Sequence, residues 1–370
     1  MFIDAGFDGG NIDVVSISQG AEIALRIRKD TKSDHSQWFY FRVLGAKDQS
    51  CKFSILNAGE AAYPEAWPDG SVVASYDGAD WFRIATQFDG TVLAFAHDCP
   101  SETLYVALSP PYPLARHHDL ICRALASDHC DLVTCIPSVE NRSVEVLRIG
   151  SHGETAPKVW IIARQHPGEP MAEWFMEGLI DRLIDSSDQV SADLRAKATF
   201  YLVTNMNPDG SSAGNLRTNA AGVDLNRAWA TPNSSPEVGG VLNLMDTTGV
   251  DLFLDIHGDE EFRFAFAAGC EGNPNFTPQM AQADAAFRQA MHAANADFSV
   301  RNGYPLDAPC AANLSVACNQ VGERFGCLSL TIEMPFKDNA DRPDPRAGWG
   351  TQHSVKLGHS TLDAITQFLS

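Results

Sequence analysis

Lys158-Val-Trp-Ile-Ile-Ala-Arg-Gln165 is an apolar run that leads directly into His166-Pro-Gly-Glu169. The run reads as a buried strand. Pro167, Gly168 and Pro170 keep the histidine and the glutamate off a helix, because proline lacks the amide donor and fixes φ. The pair therefore sits on a strand-to-helix loop, and residues 171–186 read as the amphipathic helix that follows. Three more apolar strands are predicted at 198–204, 250–256 and 327–333. From about residue 130 strands alternate with helices, which predicts an α/β sheet covered by helices on both faces. Such sheets bind ligands beyond the carboxyl ends of their strands.

A histidine and a glutamate three residues apart can supply two corners of a catalytic zinc site, which commonly takes three protein ligands and leaves one position for water. The third corner must come from a distant histidine. His257 in Asp255-Ile-His257-Gly258, at the end of the strand at 250–256, is well placed for it. Spacing alone also fits a turn histidine beside a solvated carboxylate. Glu333 ends the apolar run Cys327-Leu-Ser-Leu-Thr-Ile-Glu333. A carboxylate there is costly to bury unless it is paired or has chemistry to do, and beside a metal-bound water it would be a general base. The alternative is an edge-strand glutamate facing solvent.

Between these segments lies Asn205-Met-Asn-Pro-Asp-Gly210, continuing through Asn215-Leu-Arg217 to Gly222-Val-Asp-Leu-Asn226-Arg227. Asn-Pro-Asp-Gly is a turn signal, and residues 205–240 read as a long loop. Arginine presents a planar fork that matches a carboxylate and stays charged near pH 7. One of the two arginines could hold a substrate carboxylate and the other a developing oxyanion. Alternatively both pair with Asp209 and Asp224 and stiffen the loop.

In this order, the six segments resemble the zinc metallocarboxypeptidases related to carboxypeptidase A, and more closely their cytosolic carboxypeptidase, or deglutamylase, branch. The resemblance rests on His-Pro-Gly-Glu at 166–169, Asn-Pro-Asp-Gly at 207–210, Asn-Leu-Arg at 215–217, Gly-Val-Asp-Leu-Asn-Arg at 222–227, Asp-Ile-His at 255–257 and Thr-Ile-Glu at 331–333. It implies one zinc ion per chain held by His166, Glu169 and His257, with Glu333 as general base. It implies that Arg217 polarises the scissile carbonyl and that Asn226 and Arg227 bind the terminal carboxylate of a peptide or protein tail. The family's substrate-covering tyrosine falls by position on Tyr304, which a turn beside Pro305 also explains. The branch implies removal of single Glu or Asp residues, for which Arg263, Arg301, Arg324 and Lys337 are candidate pocket cations.

The first part of the chain has a different texture. Alternating or β-rich runs recur at 21–27, 37–43, 51–56, 81–86, 91–96 and 102–108, separated by turn signals such as Pro68-Asp-Gly and Asp89-Gly. They predict an N-terminal antiparallel β-sandwich, which is also what the resemblance implies there. Ser109-Pro-Pro-Tyr-Pro113 marks the boundary, and a helix is expected from Leu114 to Ala126. The expected division is a β-sandwich accessory domain at 1–112 and a catalytic α/β/α domain at 113–370. The resemblance implies a mixed central sheet in the second.

Composition fits this reading. A chain of 370 residues exceeds one typical domain. Twenty-seven basic against 47 acidic side chains leave a net charge of −20, which argues against nucleic acid or an anionic membrane as partner. Nine cysteines without a Cys-x-x-Cys, and a start that lacks the basic and apolar pattern of a signal peptide, point to a reduced cytoplasmic protein. No apolar run reaches the roughly 20 residues that span a bilayer. Two rival readings are a zinc deacylase of N-acyl amino acids, of the aspartoacylase or succinylglutamate-desuccinylase kind, and a non-catalytic binder of acidic tails. Oligomeric state is not readable from these residues.

Overall fold

The computed structural model describes residues 1–370 apart from Gln19 and His152. Among the described residues, nine strands occupy the first part: β1 (Phe2–Asp4), β2 (Asp13–Ile17), β3 (Glu22–Arg26), β4 (Tyr40–Leu44), β5 (Gln49–Ile55), β6 (Ser71–Ser75), β7 (Phe82–Phe88), β8 (Leu93–Cys99) and β9 (Thr103–Ala107). They are ordered β1-β4-β9-β6-β7-β8-β5-β3-β2. β7 serves two sheets in succession, because residues 82–85 pair with β6 and residues 86–88 with β8. The two halves close over a shared apolar core, where Phe41 of β4 meets Phe53 of β5 at 5.9 Å between ring centroids. One pairing departs from the expected antiparallel pattern: β3 and β5 are parallel. The chain between them crosses to the other sheet as β4 before returning, the long excursion that a parallel pair requires. β2 is exposed along its whole length and β6 is almost wholly buried, so neither shows the alternation that marks a strand in sequence.

The second part contains α1 (Leu114–Leu125), β10 (Cys130–Pro137), β11 (Ser143–Gly150), β12 (Lys158–Ala163), α2 (Met171–Leu183), α3 (Gln189–Lys197), β13 (Thr199–Val203), α4 (Pro208–Ala213), α5 (Pro236–Thr248), β14 (Leu252–Asp259), β15 (Phe266–Ala268), α6 (Pro278–Ala294), α7 (Ala317–Phe325), β16 (Leu328–Pro335) and α8 (Thr351–Phe368). Its sheet is ordered β10-β11-β13-β12-β14-β16-β15. β13, β12, β14 and β16 are parallel, and antiparallel strands close both edges, so the sheet is mixed. Val159 and Ile161 of β12 and Leu254 and Ile256 of β14 face α2 and α8. Trp160, Ile162 and Phe253 point the other way, onto α5 and α7. Burial on both faces accounts for the unbroken apolar runs of these strands.

Residues 205–240 are more ordered than a long loop. Asn207 caps α4 by accepting the Gly210 N–H at 3.1 Å, and Pro208 takes the first helical position. Single 3-10 turns follow at Leu225–Arg227 and Pro232–Ser234, and Ser235 caps α5. Asn-Pro starts a turn and caps a helix by the same chemistry, so the motif does not distinguish the two.

The α2–α8 crossing is close enough to exclude side chains. A Cβ on Gly178 would lie 2.0 Å from the Val355 carbonyl oxygen, and one on Gly358 would lie 2.0 Å from that of Phe175. Gly178→Ala is expected to cost about 1–3 kcal/mol of stability, typical of overpacking. Thermal denaturation would show this as a lower melting temperature, and an unchanged value would contradict the crossing.

Candidate metal centre and catalytic cleft

The ends of the parallel strands bring the predicted ligands together. His166 and Glu169 lie on the loop from β12 to α2, and His257 near the end of β14; their ligating atoms lie within 4.8 Å of one another and all three residues are buried. His166 Nδ1 is 2.7 Å from Glu169 Oε1, and His257 Nδ1 is 2.8 Å from Glu169 Oε2. The Gly258 N–H donates to the same Oε2 at 3.0 Å. Gly168 has a packing reason, since a Cβ there would lie 2.8 Å from the Leu216 carbonyl oxygen on the neighbouring loop.

The outward ring nitrogens have carboxylate partners. His166 Nε2 faces Asp224 Oδ1 at 3.1 Å and His257 Nε2 faces Asp255 Oδ2 at 3.0 Å. Gln165 steadies Asp255 by donating at 2.7 Å, while its own oxygen accepts from the Trp229 indole at 2.8 Å. Each ring thus places Nε2 against a carboxylate and Nδ1 toward the centre, the arrangement that orients histidine on a metal. Two imidazoles and a carboxylate converging from three positions fit zinc. Burial disfavours charge on both His257 and Glu169. Asp255 and Glu169 nonetheless raise His257 well above 6.5, and the two histidines hold the Glu169 carboxyl far below its ordinary range.

Asp224 also accepts Arg217 Nε–H at 2.7 Å, so one carboxylate serves a proposed ligand and a proposed substrate group. Burial works against its ionisation, but His166 and Arg217 keep it charged. Asp224→Asn is expected to weaken zinc binding about 10–100-fold, as the loss of such outer partners typically does. Competition with a chromophoric chelator would measure this, and wild-type affinity would remove Asp224 from the centre.

Glu333 stands on β16 directly beside His257 of β14, the two being paired in register. It is 7% exposed, so the edge-strand alternative does not hold. Its Oε2 is buried with no hydrogen-bond partner among the described residues, and Oε1 lies 3.2 Å from the Tyr304 hydroxyl. Burial first, then the charges of Glu169, Asp259 and Asp255, push the Glu333 carboxyl up to about 8. The Tyr304 hydroxyl also donates to Asp259 Oδ2 at 2.6 Å, and its ring meets Phe262 and Phe266 edge-on.

A cleft of roughly 640 Å³ is lined by all eight predicted site residues: His166, Glu169, Arg217, Asn226, Arg227, His257, Tyr304 and Glu333. Arg217 pairs with Asp224, as the loop-stiffening alternative has it, yet still faces the cleft. Arg227 Nη1–H donates to the Asn226 carbonyl at 2.7 Å, and among the described residues no ion pair engages it. Asn226 Oδ1 accepts the Ala317 N–H at 2.9 Å, which fixes its amide at the cleft wall. Of the four candidate cations only Arg301 lines the cleft. Arg324 is bound to Asp246, Arg263 approaches the Asp338 carbonyl, and Lys337 lies beside Trp67 in a small separate cavity. Arg288, which had no sequence signal, also lines the cleft and is held by Asp284 and Glu271.

Asp255, Asp224 and Gln165 were not among the predicted site residues. Asp255 precedes His257 by two on a strand and so shares its face, a signal that was available in the sequence. Gln165 and Asp224 meet the histidines only through folding.

Comparison with known proteins agrees with the geometry. Residues 3–108 match the cytosolic carboxypeptidase N-terminal domain and residues 120–342 match zinc carboxypeptidase. An uncharacterised protein of Zymomonas mobilis is 43% identical over 369 residues, covering 99% of this chain and 96% of its own. Mouse cytosolic carboxypeptidase 4 is 30% identical over 320 residues, 71% of this chain but only 28% of the mouse protein. A Pseudomonas aeruginosa metallo-carboxypeptidase in complex with (2-guanidinoethylmercapto)succinic acid superposes with a TM-score of 0.97 at 48% identity, both chains being covered in full. A metallo-carboxypeptidase from Burkholderia cenocepacia gives 0.96 at 44% identity, covering all of this chain and 98% of its own. With both segments matched in order on a metal centre of two histidines and a glutamate, the chain belongs to the zinc carboxypeptidase family and carries the N-terminal domain of its cytosolic branch.

Proposed function

We propose that the protein is a zinc-dependent exopeptidase that removes single C-terminal residues, preferably Glu or Asp, from peptide or protein tails. The observation that carries the zinc-peptidase reading is the buried triad of His166, Glu169 and His257 with Glu333 paired in register beside it, and Arg227 and Asn226 lining the same cleft support its action at a chain end. His166 Nδ1, His257 Nδ1 and the Glu169 carboxylate would hold the zinc. When bound, it supplies a Lewis acid and a water whose pKa falls to about 7. Glu333 accepts a proton from the attacking water on its unpartnered Oε2 and returns it to the leaving amine. Arg217, fixed by Asp224, donates to the carbonyl oxygen as negative charge develops there. Arg227 pairs with the substrate's terminal carboxylate, with Asn226 beside it. Tyr304 covers the bound tail from the side of Glu333.

Preference for an acidic residue rests on Arg301 at the cleft wall. The opposite preference also has support. Glu271 and Asp307 line the same cleft, and the ligand of the Pseudomonas relative joins a guanidinium to a dicarboxylate. Peptides that differ only in the last residue, incubated with zinc-loaded enzyme and followed by mass spectrometry, decide between the two. Fastest trimming of terminal Glu or Asp is the expected outcome. Fastest trimming of Arg or Lys would reverse the assignment of the pocket, and no trimming of any peptide would overturn the exopeptidase reading. The deacylase alternative is not favoured, since both matched segments belong to carboxypeptidases.

The accessory and catalytic domains divide at 112/113 in this reading, beyond the last strand of the first sheet and before α1. The cytoplasm is the proposed compartment. Nine free cysteines and the cytosolic relatives support it, and among the described residues no helix is long and apolar enough to cross a membrane.

A further inference from the structure

The guanidinium of Arg217 is held from two sides. Asp224, in the catalytic half, accepts at Nε; the second partner comes from the β-domain, where Tyr63 Oη accepts Arg217 Nη1–H at 2.6 Å. Tyr63 also lines the cleft, and nothing in the sequence motifs singled it out.

Its setting is rigid. The Tyr63 N–H donates to Gln37 Oε1 at 2.8 Å, and Gln37 Nε2–H returns a bond to the Tyr63 carbonyl at 3.2 Å. Gln37 is 1% exposed. Pro64 follows at once and restricts the backbone of the residue before it. The phenol is therefore delivered to Arg217 by a clamped backbone.

The same domain grips the Arg217 backbone. Asp30 accepts the N–H groups of Leu216, Arg217 and Thr218 at 2.6, 2.8 and 2.9 Å, and the Thr218 hydroxyl at 3.1 Å. The Thr31 N–H donates to Asn215 Oδ1 at 3.0 Å. Leu216 is buried in the β-domain's own apolar core. Three consecutive amides bound to one carboxylate, beside a leucine anchored in the other domain, leave this loop little freedom to move independently.

We infer that the N-terminal domain is part of the catalytic apparatus: Tyr63 is a positioning residue that aims Arg217 at the developing oxyanion, and Asp30 holds the loop from which Arg217 projects. A guanidinium with one anchor can rotate about it, whereas anchors at Nε and Nη1 fix the plane of the fork and hence the direction of its remaining N–H bonds. Preorganised donors accelerate acyl transfer because they need no reorientation as charge appears. The inference rests on the reading of Arg217 as the oxyanion group.

Tyr63→Phe removes one hydroxyl and leaves the ring. It is expected to lower kcat about tenfold with KM within twofold of wild type, as a donor still present but poorly aimed would do. Affinity for a phosphonate peptide, which mimics the tetrahedral species, should fall by a similar factor. Affinity for a plain product amino acid, zinc content and melting temperature should hold. In an Arg217→Ala background the same change should have no further effect on kcat, because the two residues act in series. A Tyr63→Phe variant with kcat within twofold of wild type, or one that loses the same factor without Arg217, would overturn the inference. An Arg217→Ala variant with undiminished kcat would instead overturn the oxyanion reading itself, so the two failures are distinguishable.

Discussion

Glu333→Gln is expected to lower kcat by roughly 10²- to 10⁴-fold, the range in which a positioned general base contributes, while peptide and zinc still bind. The amide keeps an oxygen for the Tyr304 hydroxyl but cannot take a proton on the side where Oε2 lies buried and unpartnered. A second readout separates loss of chemistry from loss of structure. In the metal-free protein burial, followed by Glu169, Asp259 and Asp255, raises this carboxyl from 4.5 to about 8. Between those values the unfolded chain has released a proton that the folded protein keeps, so stability falls as pH rises through the window. The glutamine variant does not titrate there. Without metal it should gain melting temperature relative to wild type between pH 5 and pH 8, and the two curves should run parallel below about 4.5. A variant that keeps more than a tenth of wild-type kcat would remove Glu333 as the base. A stability difference that does not change with pH would remove the electrostatic account of its burial.

How much of the centre could be read from the chain depends on how locally each contact is specified. His166 and Glu169 are legible because proline and glycine hold them on a strand-end loop, and ligand chemistry limits what such a pair can do. Glu333 is legible as an anomaly, a carboxylate ending an apolar strand, but its pairing with His257 is a matter of register between β14 and β16, which neither strand encodes alone. Asp224 is visible in the sequence, yet its double service to His166 and Arg217 exists only once the 3-10 turn at Leu225–Arg227 has formed. Tyr63 and Asp30 reach Arg217 and its loop from another domain, across 154 residues for the phenol and 187 for the carboxylate. No periodicity or motif spans such a gap. The same limit applies in the β-domain, where the core-facing runs were recognisable and the parallel β3–β5 pair was not. Local rules identify elements and chemically costly residues, whereas partners across the fold need the fold.

Chelation of the metal is expected to abolish turnover, and zinc to restore it, with a proton balance set by the residues of the centre. Glu169 needs no deprotonation, since the two histidines already hold its carboxyl well below the ordinary range against the cost of burial. His257 differs. Burial opposes its charge, but Asp255 and Glu169 together raise it well above 6.5, so without metal its ring carries a proton at neutral pH. A raised histidine stabilises the fold fully below its unfolded value of 6.5, and that contribution is lost as pH rises through the folded value. Zinc needs the bare Nδ1 and must displace this proton. Titration calorimetry at pH 7 in buffers of different ionisation heat should therefore show at least about one proton released per zinc bound. One comes from His257 and a further share from Glu333, whose carboxyl stands at about 8 without metal and must ionise to act as the base. Apparent affinity should rise by at least about tenfold per pH unit while the metal-free ring stays protonated, then level off. Raising the pH thus weakens the metal-free fold while strengthening zinc binding, so the gain in melting temperature on zinc addition should grow from pH 6 to pH 8. Zinc uptake without proton release at pH 7, or a stabilisation that shrinks over that interval, would show that His257 enters the metal site already neutral and that Asp255 orients the ring without charging it.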